Sequence, residues 1–348
     1  MKALVIMLLT MGIGAFSQAQ VSPRLLDFTR PTLEWYQIET EHFKVLFHLD
    51  EDGNGASRSA QVAARIAEDI YPSITQLYGY EPSQKVHIIL KDYEDYSNGA
   101  AFFFDNKIEI WAPALDSPLR GAHDWLRNVI THEFTHIVQV QASMKLPRTV
   151  PFGYLQVIDY EKVRRPDVLY GFPNAIMSYP IMGLNNPAWL AEGTAQFQDE
   201  HLYYDQWDSH RDMLLRTRVL HQKTMTLSEL GSFYSKNSHM REGVYNYGFA
   251  FTSYLTRKYG TDVVSKITDE LGKWGIWRVE KAIESAIGVS GKEVYRQWLE
   301  ELQRSYQDAT APIEHSLVAG TVIEPHGFAN YYPRFSPDVR ILIDLTSC

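Results

Sequence analysis

The apolar positions in the first 140 residues follow two periods. From about Ala56 to Tyr78 they recur three or four residues apart, which predicts an amphipathic helix. A second stripe of this kind, which includes Phe134 and Ile137, predicts a helix from Trp125 to Val140, a segment that contains no Pro or Gly. Short apolar runs predict the strands around these helices, namely Phe43 to Phe47, Lys85 to Leu90 and a pair of strands between about residues 98 and 111.

After about residue 192 the pattern is mostly helical. The segment Thr226 to Glu229 has the form of a capping box, in which a Thr at the N-cap is followed three residues later by a Glu. Further helices are predicted at Gly243 to Tyr259, Thr261 to Gly272, Arg278 to Ile287 and Gly291 to Gln307. Strand-like runs return from residue 313 onward. This order predicts an α+β fold: a small mixed sheet packed by helices, then a mostly helical subdomain and a short β tail at the C-terminus.

The N-terminus has the composition of a secretory signal. Residues 1–19 contain one charged side chain, Lys2, followed by the apolar stretch Ala3 to Phe16 and then by Ser17-Gln18-Ala19. We therefore predict cleavage after Ala19 and a secreted or periplasmic protein. No later stretch approaches the length of a membrane-spanning helix, so that no integral membrane span is expected after cleavage.

The net charge bears on which partners the protein could bind, and the cysteine content bears on whether disulfides could stabilise it. The net charge of −9 argues against nucleic acid as a partner. Cys348 is the single cysteine, so the sequence offers no intrachain disulfide. We expect an exported protein of this kind to depend on its hydrophobic core for stability.

The strongest chemical signal is the motif His132-Glu133-Phe134-Thr135-His136. Residues four apart on an α-helix stand about 6 Å apart along its axis and on nearly the same face, so His132 and His136 can reach one metal ion. Glu133 lies at the edge of that face, where a carboxylate can take a proton from an activated water and return it to a leaving amine. The motif predicts a hydrolytic zinc site, although a chance match in a chain with 12 His is the alternative.

A second segment, Pro187 to Phe197, offers a third metal ligand. A catalytic zinc usually has three protein ligands and an open position, and two His with one Glu form a standard set. Glu192 is the best candidate because it lies in a helix expected to begin at Pro187, beside the small residues Gly193 and Ala195. A solvated Glu is the simpler alternative, and four other acidic residues remain open as substitutes: Asp159, Glu161, Asp199 and Glu200.

The segment Trp189 to Ala195 has the pattern W-x-x-E-G-x-A. In this position downstream of HExxH, it resembles the gluzincin zinc metallopeptidases, most closely their peptidase MA-like family, over about residues 34–310. The resemblance implies a zincin-like metallopeptidase domain, in which a small mixed sheet and a zinc helix precede a mostly helical subdomain. It also implies that His132, His136 and Glu192 bind zinc and that Glu133 is the general base.

The segment Val244 to Ala250, followed by Tyr254-Leu255, resembles the Y-x-x-G-x-A helix of the aminopeptidase-like gluzincins. In those enzymes the Tyr hydroxyl stabilises the oxyanion of the tetrahedral intermediate. Carried over by position, this catalytic role falls on Tyr245, and a preorganised donor of this kind suits the chemistry. Tyr247 is the nearest competitor in a chain that has 21 Tyr.

Two departures from the aminopeptidase-like pattern bear on the substrate. Glu192 follows His136 at a much greater distance than in thermolysin or the aminopeptidases. The insertion, residues 146–186, is expected to form a wall or lid over the cleft, or else an irregular loop packed on the surface. The chain also lacks a G-x-M-E-N segment, which anchors the amino terminus of the substrate in aminopeptidases. This absence favours an endopeptidase.

The strand that contains Gly99 and Ala100 is the expected counterpart of that anchoring segment. If it is an edge strand, it could pair with an extended substrate backbone through main-chain hydrogen bonds. The small residues Gly99 and Ala100 would permit close approach and are therefore assigned to substrate binding. A plain hairpin is the simpler interpretation.

The C-terminal tail contains a segment that resembles a different protein family. Tyr332 to Val339 is similar to the P-x-F-S-P-D-G signature of TolB-like propeller blades, with Val339 in place of the expected Gly. One blade cannot close a propeller, and we expect that the sequence stops inside the first blade. A short two-stranded extension packed on the peptidase domain is the alternative. Peptidases of this branch can carry such a propeller, and it would offer a surface for an envelope protein partner.

These patterns predict three segments: a signal peptide at residues 1–19, a gluzincin-like peptidase domain at 20–312 and an incomplete propeller-blade-like β segment at 313–348. The predicted function is that of an exported zinc-dependent endopeptidase with peptide or protein substrates. Two alternatives of other classes stay open. One is a non-catalytic envelope scaffold with a peptidase-like domain, and the other is a zinc hydrolase of a non-peptide substrate.

Overall fold

The structure, a computed structural model, describes residues 33–49, 53, 55–94, 96–114, 124–150, 153–160, 173–181, 186–197, 205–322, 329–338 and 342–347. The chain divides into two compact units, Met1–Arg304 and Ser305–Cys348. The predicted signal peptide and its cleavage site lie outside the described residues. Within the described ranges, no helix combines the length and the apolar character needed to cross a membrane.

The first unit contains a five-stranded mixed sheet. Its strands are β1 Glu34–Glu39, β2 Phe43–Leu49, β3 Val86–Lys91, β4 Asn98–Phe102 and β5 Lys107–Trp111. They lie in the order β1-β2-β3-β5-β4. The central pairs β2–β3 and β3–β5 are parallel, whereas the outer pairs β1–β2 and β4–β5 are antiparallel. β4 is therefore at an edge of the sheet.

Helices make up most of the remaining described structure. They are α1 Ser57–Tyr78, α2 Trp125–Ala142, α3 Ala188–Gln196, α4 Ser209–Leu220, α5 Ser238–Tyr259, α6 Val263–Gly272, α7 Val279–Ile287 and α8 Gly291–Glu314. α1 and α2 pack on each other and on the sheet, and α3 packs on both α2 and α5. The predicted α+β class is confirmed: a small mixed sheet is followed by a mostly helical region.

Aromatic and branched side chains fix helix α2 against the sheet. Alternate positions of the strands face the helices, and Ile88 of β3 and Ile108 of β5 have no exposed surface. Phe134 of α2 is also fully buried, and its ring centroid lies 5.1 Å from that of Phe43 and 5.5 Å from that of Tyr71. This close packing determines where the other face of α2 presents its polar side chains.

Helices α3 and α5 meet at two glycines. A Cβ on Gly193 would overlap the backbone of Gly248, and a Cβ on Gly248 would overlap the carbonyl oxygen of Trp189. Any residue other than glycine would therefore force the two helices apart. The fully buried ring of Trp189 lies 5.1 Å from the ring of Phe251 on α5 and fills the space beside this contact.

Two hairpins complete the described strands. In the first unit, β6 Gly153–Tyr160 and β7 Pro173–Ile181 form an antiparallel pair within the insertion that the sequence assigns to a wall, a lid or a loop. In the second unit, β8 Ala329–Phe335 and β9 Leu342–Ser347 form another antiparallel pair. The propeller-blade assignment of this tail and the domain boundary after residue 312 stay predictions.

Candidate metal centre

Helix α2 presents two imidazoles on one face. The helix follows Asp124, whose side chain accepts a hydrogen bond from the backbone N–H of Arg127 at 3.4 Å. His132 and His136 lie one turn apart, and their Nε2 atoms are separated by 3.1 Å. Both side chains are largely buried. The helical period therefore brings the two nitrogens to one point, as the motif predicts.

Helix α3 brings a carboxylate to the same point. Glu192 Oε2 lies 3.0 Å from Nε2 of His132 and 3.4 Å from Nε2 of His136. One ligand atom from each of the three residues lies within 4.8 Å of the other two. Two imidazole nitrogens and a carboxylate oxygen form a donor set that zinc accepts at catalytic sites. The residues therefore fit a metal ion, and this group could hold one.

The three groups change one another's protonation. Burial alone would raise the pKa of Glu192, but the adjacent imidazoles of His136 and His132 outweigh this effect and hold the pKa far below its usual range. Burial alone would lower the pKa of His136, and the charge and hydrogen bond of Glu192 raise it instead. The carboxylate thus favours positive charge beside it. Metal binding at such a site competes with protons for the same ligand atoms.

Glu133 lies between α2 and the edge strand β4. The residue is 7% exposed, and its carboxylate accepts a hydrogen bond from the backbone N–H of Ala101. A Cβ on Gly99 would lie 2.5 Å from Val129 Cγ2 and 2.6 Å from Glu133 Oε1, so a larger residue here would require these side chains to shift. Burial raises the pKa of Glu133, although the nearby imidazoles oppose that shift. The next residue of β4, Ala100, is paired with Glu109 of β5.

The two candidate tyrosines lie in different surroundings on α5. The ring centroid of Tyr245 is 6.4 Å from that of His132, one of the three candidate metal ligands. Tyr247 is 1% exposed and packs against Trp298 at a centroid distance of 6.1 Å. Burial raises the pKa of Tyr247 to about 12. Of the two residues, the structure brings Tyr245 beside His132 and directs Tyr247 into the core.

The other acidic candidates for the third ligand are not brought to this point by any described contact. Asp159 belongs to β6, but its side chain lies outside what the structure describes, as do the residues Glu161, Asp199 and Glu200. Glu192 is therefore the acidic side chain that the described part of the chain places beside both imidazoles.

Two neighbours of the site were not identified from the sequence. The ring of Phe233 lies 5.5 Å from the ring of Tyr245, and Phe233 belongs to the loop that precedes α5. Val129 lies against Gly99, one helical turn before Glu133. The helical period would have placed Val129 on this face of α2, but no motif marks Phe233.

Comparison of the chain with models of known protein families and with curated proteins gives no match. A fold alone would not assign an activity, because one fold supports many functions. The chemistry of His132, His136, Glu192 and Glu133 is therefore the basis on which a function can be inferred.

Proposed function

We propose that this protein is an exported zinc-dependent endopeptidase of the gluzincin type, with a zincin-like arrangement around its metal centre. The observation that carries this proposal is the convergence of His132, His136 and Glu192 from two helices, with Glu133 buried next to the first ligand. An HExxH motif can arise by chance. A carboxylate from a distant segment, 3.0 Å from His132, is an independent feature that the motif does not require.

His132, His136 and Glu192 would hold the ion, and bound zinc supplies a Lewis acid that polarises a carbonyl and lowers the pKa of water. Glu133 accepts the proton of the attacking water and delivers it to the leaving amine. The hydrogen bond from the N–H of Ala101 orients the carboxylate of Glu133 for this transfer. The base is thus held by both the helix that carries it and the strand beside it.

Tyr245 supplies a second polar group at the reaction centre. In this proposal its hydroxyl donates a hydrogen bond to the oxyanion that forms when water attacks the scissile carbonyl. The ring lies between His132 and Phe233, at centroid distances of 6.4 and 5.5 Å, and these contacts restrict its orientation. A donor that is already oriented stabilises developing charge without reorganisation during the reaction.

Strand β4 offers a place for the substrate backbone. It is at an edge of the five-stranded sheet, and Gly99 lies against the carboxylate of Glu133. An extended peptide that adds to this edge would form main-chain hydrogen bonds and run past the general base. The small side chain of Ala100 would also permit close approach. This arrangement supports a peptide or protein substrate, and a strand at the edge of the described sheet, which can pair with an extended chain, supports internal cleavage.

The proposals about location and partners rest on sequence patterns. The composition of residues 1–19 supports export to the periplasm or the cell exterior, and the segment Tyr332 to Val339 supports a TolB-like blade. If the blade belongs to a propeller, that propeller is the proposed contact for an envelope protein partner.

Cleavage of casein, an unstructured protein, tests the proposed activity. The zinc-loaded wild-type protein is expected to cleave internal bonds, and Glu133→Gln to lose cleavage while it keeps the metal. Zinc bound without cleavage of casein or of any peptide in a library would refute the peptidase and favour the scaffold. Hydrolysis of small esters or amides, with peptides left intact, would favour a hydrolase of non-peptide substrates.

A further inference from the structure

Two tryptophans project from the first unit in the loop between α6 and α7. Trp274 is 61% exposed and Trp277 is 41% exposed, and their ring centroids lie 6.3 Å apart. Transfer of a large apolar ring out of water is favourable. Two adjacent exposed indoles are therefore unfavourable in a protein that acts alone. The core of the unit does not account for their position.

A buried lysine holds this loop in shape. Lys145 is 7% exposed, and its ammonium group donates hydrogen bonds to three carbonyl oxygens, that of Leu271 in the last turn of α6 and those of Lys273 and Ile276 in the loop. The ammonium also lies 4.6 Å from the ring centroid of Trp277. A lysine is seldom buried unless its charge is compensated, and here three oriented carbonyls provide that compensation. The two indoles are therefore presented by a preorganised turn.

The basic side chains beside the two rings are more exposed than the acidic side chains that pair with them. Lys273 and Arg278 flank the pair, and their side chains are 60% and 68% exposed. The carboxylates paired with them, Glu270 and Glu280, are only 18% and 20% exposed. In both ion pairs the more exposed side chain is thus the basic one, although the whole chain carries a net charge of −9. Both basic side chains are therefore more accessible to a binding partner than the carboxylates paired with them.

We propose that the loop from Lys273 to Arg278 is a peripheral membrane contact that binds a lipid bilayer with anionic headgroups. Indole rings favour the headgroup level, where the apolar body leaves water and the ring N–H keeps a polar partner. At the same level Lys273 and Arg278 meet lipid phosphates. The contact is independent of the metal centre and of the proposed hydrolysis.

The charge pattern favours a bilayer over a protein as the occupant. The buried centre of a protein interface is depleted in Lys, because a charge there loses its water. In this loop Lys273 directly precedes Trp274, so that a protein which covers this ring also meets the Lys273 side chain, whereas Arg278, which directly follows Trp277, suits either kind of partner. A phosphate layer that is wet and negatively charged accepts both kinds of side chain.

Co-sedimentation of the full chain with lipid vesicles tests this proposal. Wild type is expected to bind phosphatidylcholine vesicles that contain phosphatidylglycerol, and to release them as salt is raised. Trp274→Ser with Trp277→Ser should lower the partition coefficient at least about tenfold. Lys273→Glu with Arg278→Glu should lower it at least about tenfold on anionic vesicles and little on pure phosphatidylcholine.

Trp35→Ser is the matched control, because Trp35 is 43% exposed but lies on β1, and its binding should equal that of wild type. Trp274→Ser alone, which keeps the contact between Lys145 and Trp277, serves if circular dichroism shows that the double variant is unfolded. Failure of wild type to bind anionic vesicles, or equal binding by the folded tryptophan variants, would overturn the proposal. So would self-association of wild type that needs both rings and occurs without vesicle binding, because the loop would then join two copies.

Discussion

The carboxylate of Glu192 lies 3.0 Å from the imidazole of His132, although 60 positions separate the two residues in the chain. Neither helix could bring its ligand there alone. The packing of Phe134 sets the position of α2, and the contact between Gly193 and Gly248 sets the position of α3 against α5. The candidate metal centre therefore depends on residues that are not themselves candidate ligands.

Gly193→Ala should disturb both the fold and the metal centre. The added methyl group would overlap the backbone of Gly248, and such overpacking costs about 1–3 kcal/mol of the free energy of unfolding. Zinc affinity should fall as well, because α3 carries Glu192. Urea denaturation and zinc titration measure the two effects. The control is Gly231→Ala, whose Cβ would meet nothing closer than Pro187 Cβ at 4.0 Å. Equal midpoints and equal zinc affinity for the two variants would contradict this account.

Gly99→Ala should lower kcat without removing the metal. Its Cβ would lie 2.6 Å from Glu133 Oε1, so the side chain of Glu133, the proposed base, must shift and its hydrogen bond with Ala101 is disturbed. We expect a loss of about tenfold or more in kcat, because catalysis is sensitive to small displacements of a base. Gly320→Ala, which introduces a Cβ with no atom within 4 Å, is the control. An unchanged kcat in casein cleavage would show that β4 does not position Glu133.

Tyr245→Phe distinguishes the two tyrosines on α5. Loss of an oxyanion donor lowers kcat by about 10²–10³, with little change in KM if the hydroxyl acts only in the transition state. Zinc content should stay at the wild-type level. Tyr247→Phe should leave kcat near wild type, since Tyr247 is buried against Trp298. Steady-state kinetics that show the opposite order would assign the role to Tyr247.

Glu109 should make stability depend on pH in the acid range. Its carboxylate lies 2.6 Å from Lys91 Nζ and 2.9 Å from Lys107 Nζ. Burial alone would raise the pKa of Glu109, but the hydrogen bonds and charges of both lysines outweigh this effect and hold the pKa below its usual range. The stabilisation is therefore fully present above the unfolded pKa and is lost as pH falls through the lower folded pKa.

Glu109→Gln should lower the free energy of unfolding by about 1–3 kcal/mol at neutral pH. The difference from wild type should shrink as pH falls to about 3, because the carboxylate of wild type is then increasingly protonated. Urea denaturation across this range measures the difference. A gap between the two proteins that is the same at every pH would contradict the assigned pKa shift.

Elements with strong apolar periodicity could be predicted from the sequence, and those without it could not. The prediction of a helix from Trp125 to Val140 agrees with α2, which ends only two residues later, at Ala142. β1 was not predicted because five of its six residues are exposed, so that the strand, at an edge of the sheet, shows no alternation of buried and exposed positions. α4 was not predicted because its buried side chains include Arg211, which pairs with Asp205 at 2.6 Å.

Local motifs formed without always producing the expected element. Thr226 and Glu229 make the reciprocal hydrogen bonds of a capping box, at 2.7 and 3.2 Å. These hydrogen bonds precede only a short 3-10 helix, Glu229–Gly231. The helix ends there because the backbone of Ser232 is extended. Helix α5 begins five residues before the predicted Gly243, where the side chain of Asn237 accepts a hydrogen bond from the N–H of Met240. A cap outside the apolar stripe lengthened the helix.

Part of the candidate site could be predicted from a local sequence pattern, and part depends on tertiary packing. The pairing of His132 with His136 follows from the period of one helix. The approach of Glu192 depends on helix packing that no local pattern contains, and Glu192 was chosen from the sequence by a resemblance and by the small residues beside it. The contact of Phe233 with Tyr245 depends on a loop whose path has no sequence signature.

Zinc reconstitution of the metal-free protein tests the central claim most directly. Casein cleavage would be measured as zinc is added, in wild type and in Glu192→Ala. Wild type should gain activity up to a plateau near one zinc per chain, and Glu192→Ala should bind zinc more weakly and stay inactive. Full activity of the metal-free protein, or the same titration curve for Glu192→Ala, would contradict a zinc centre formed by His132, His136 and Glu192.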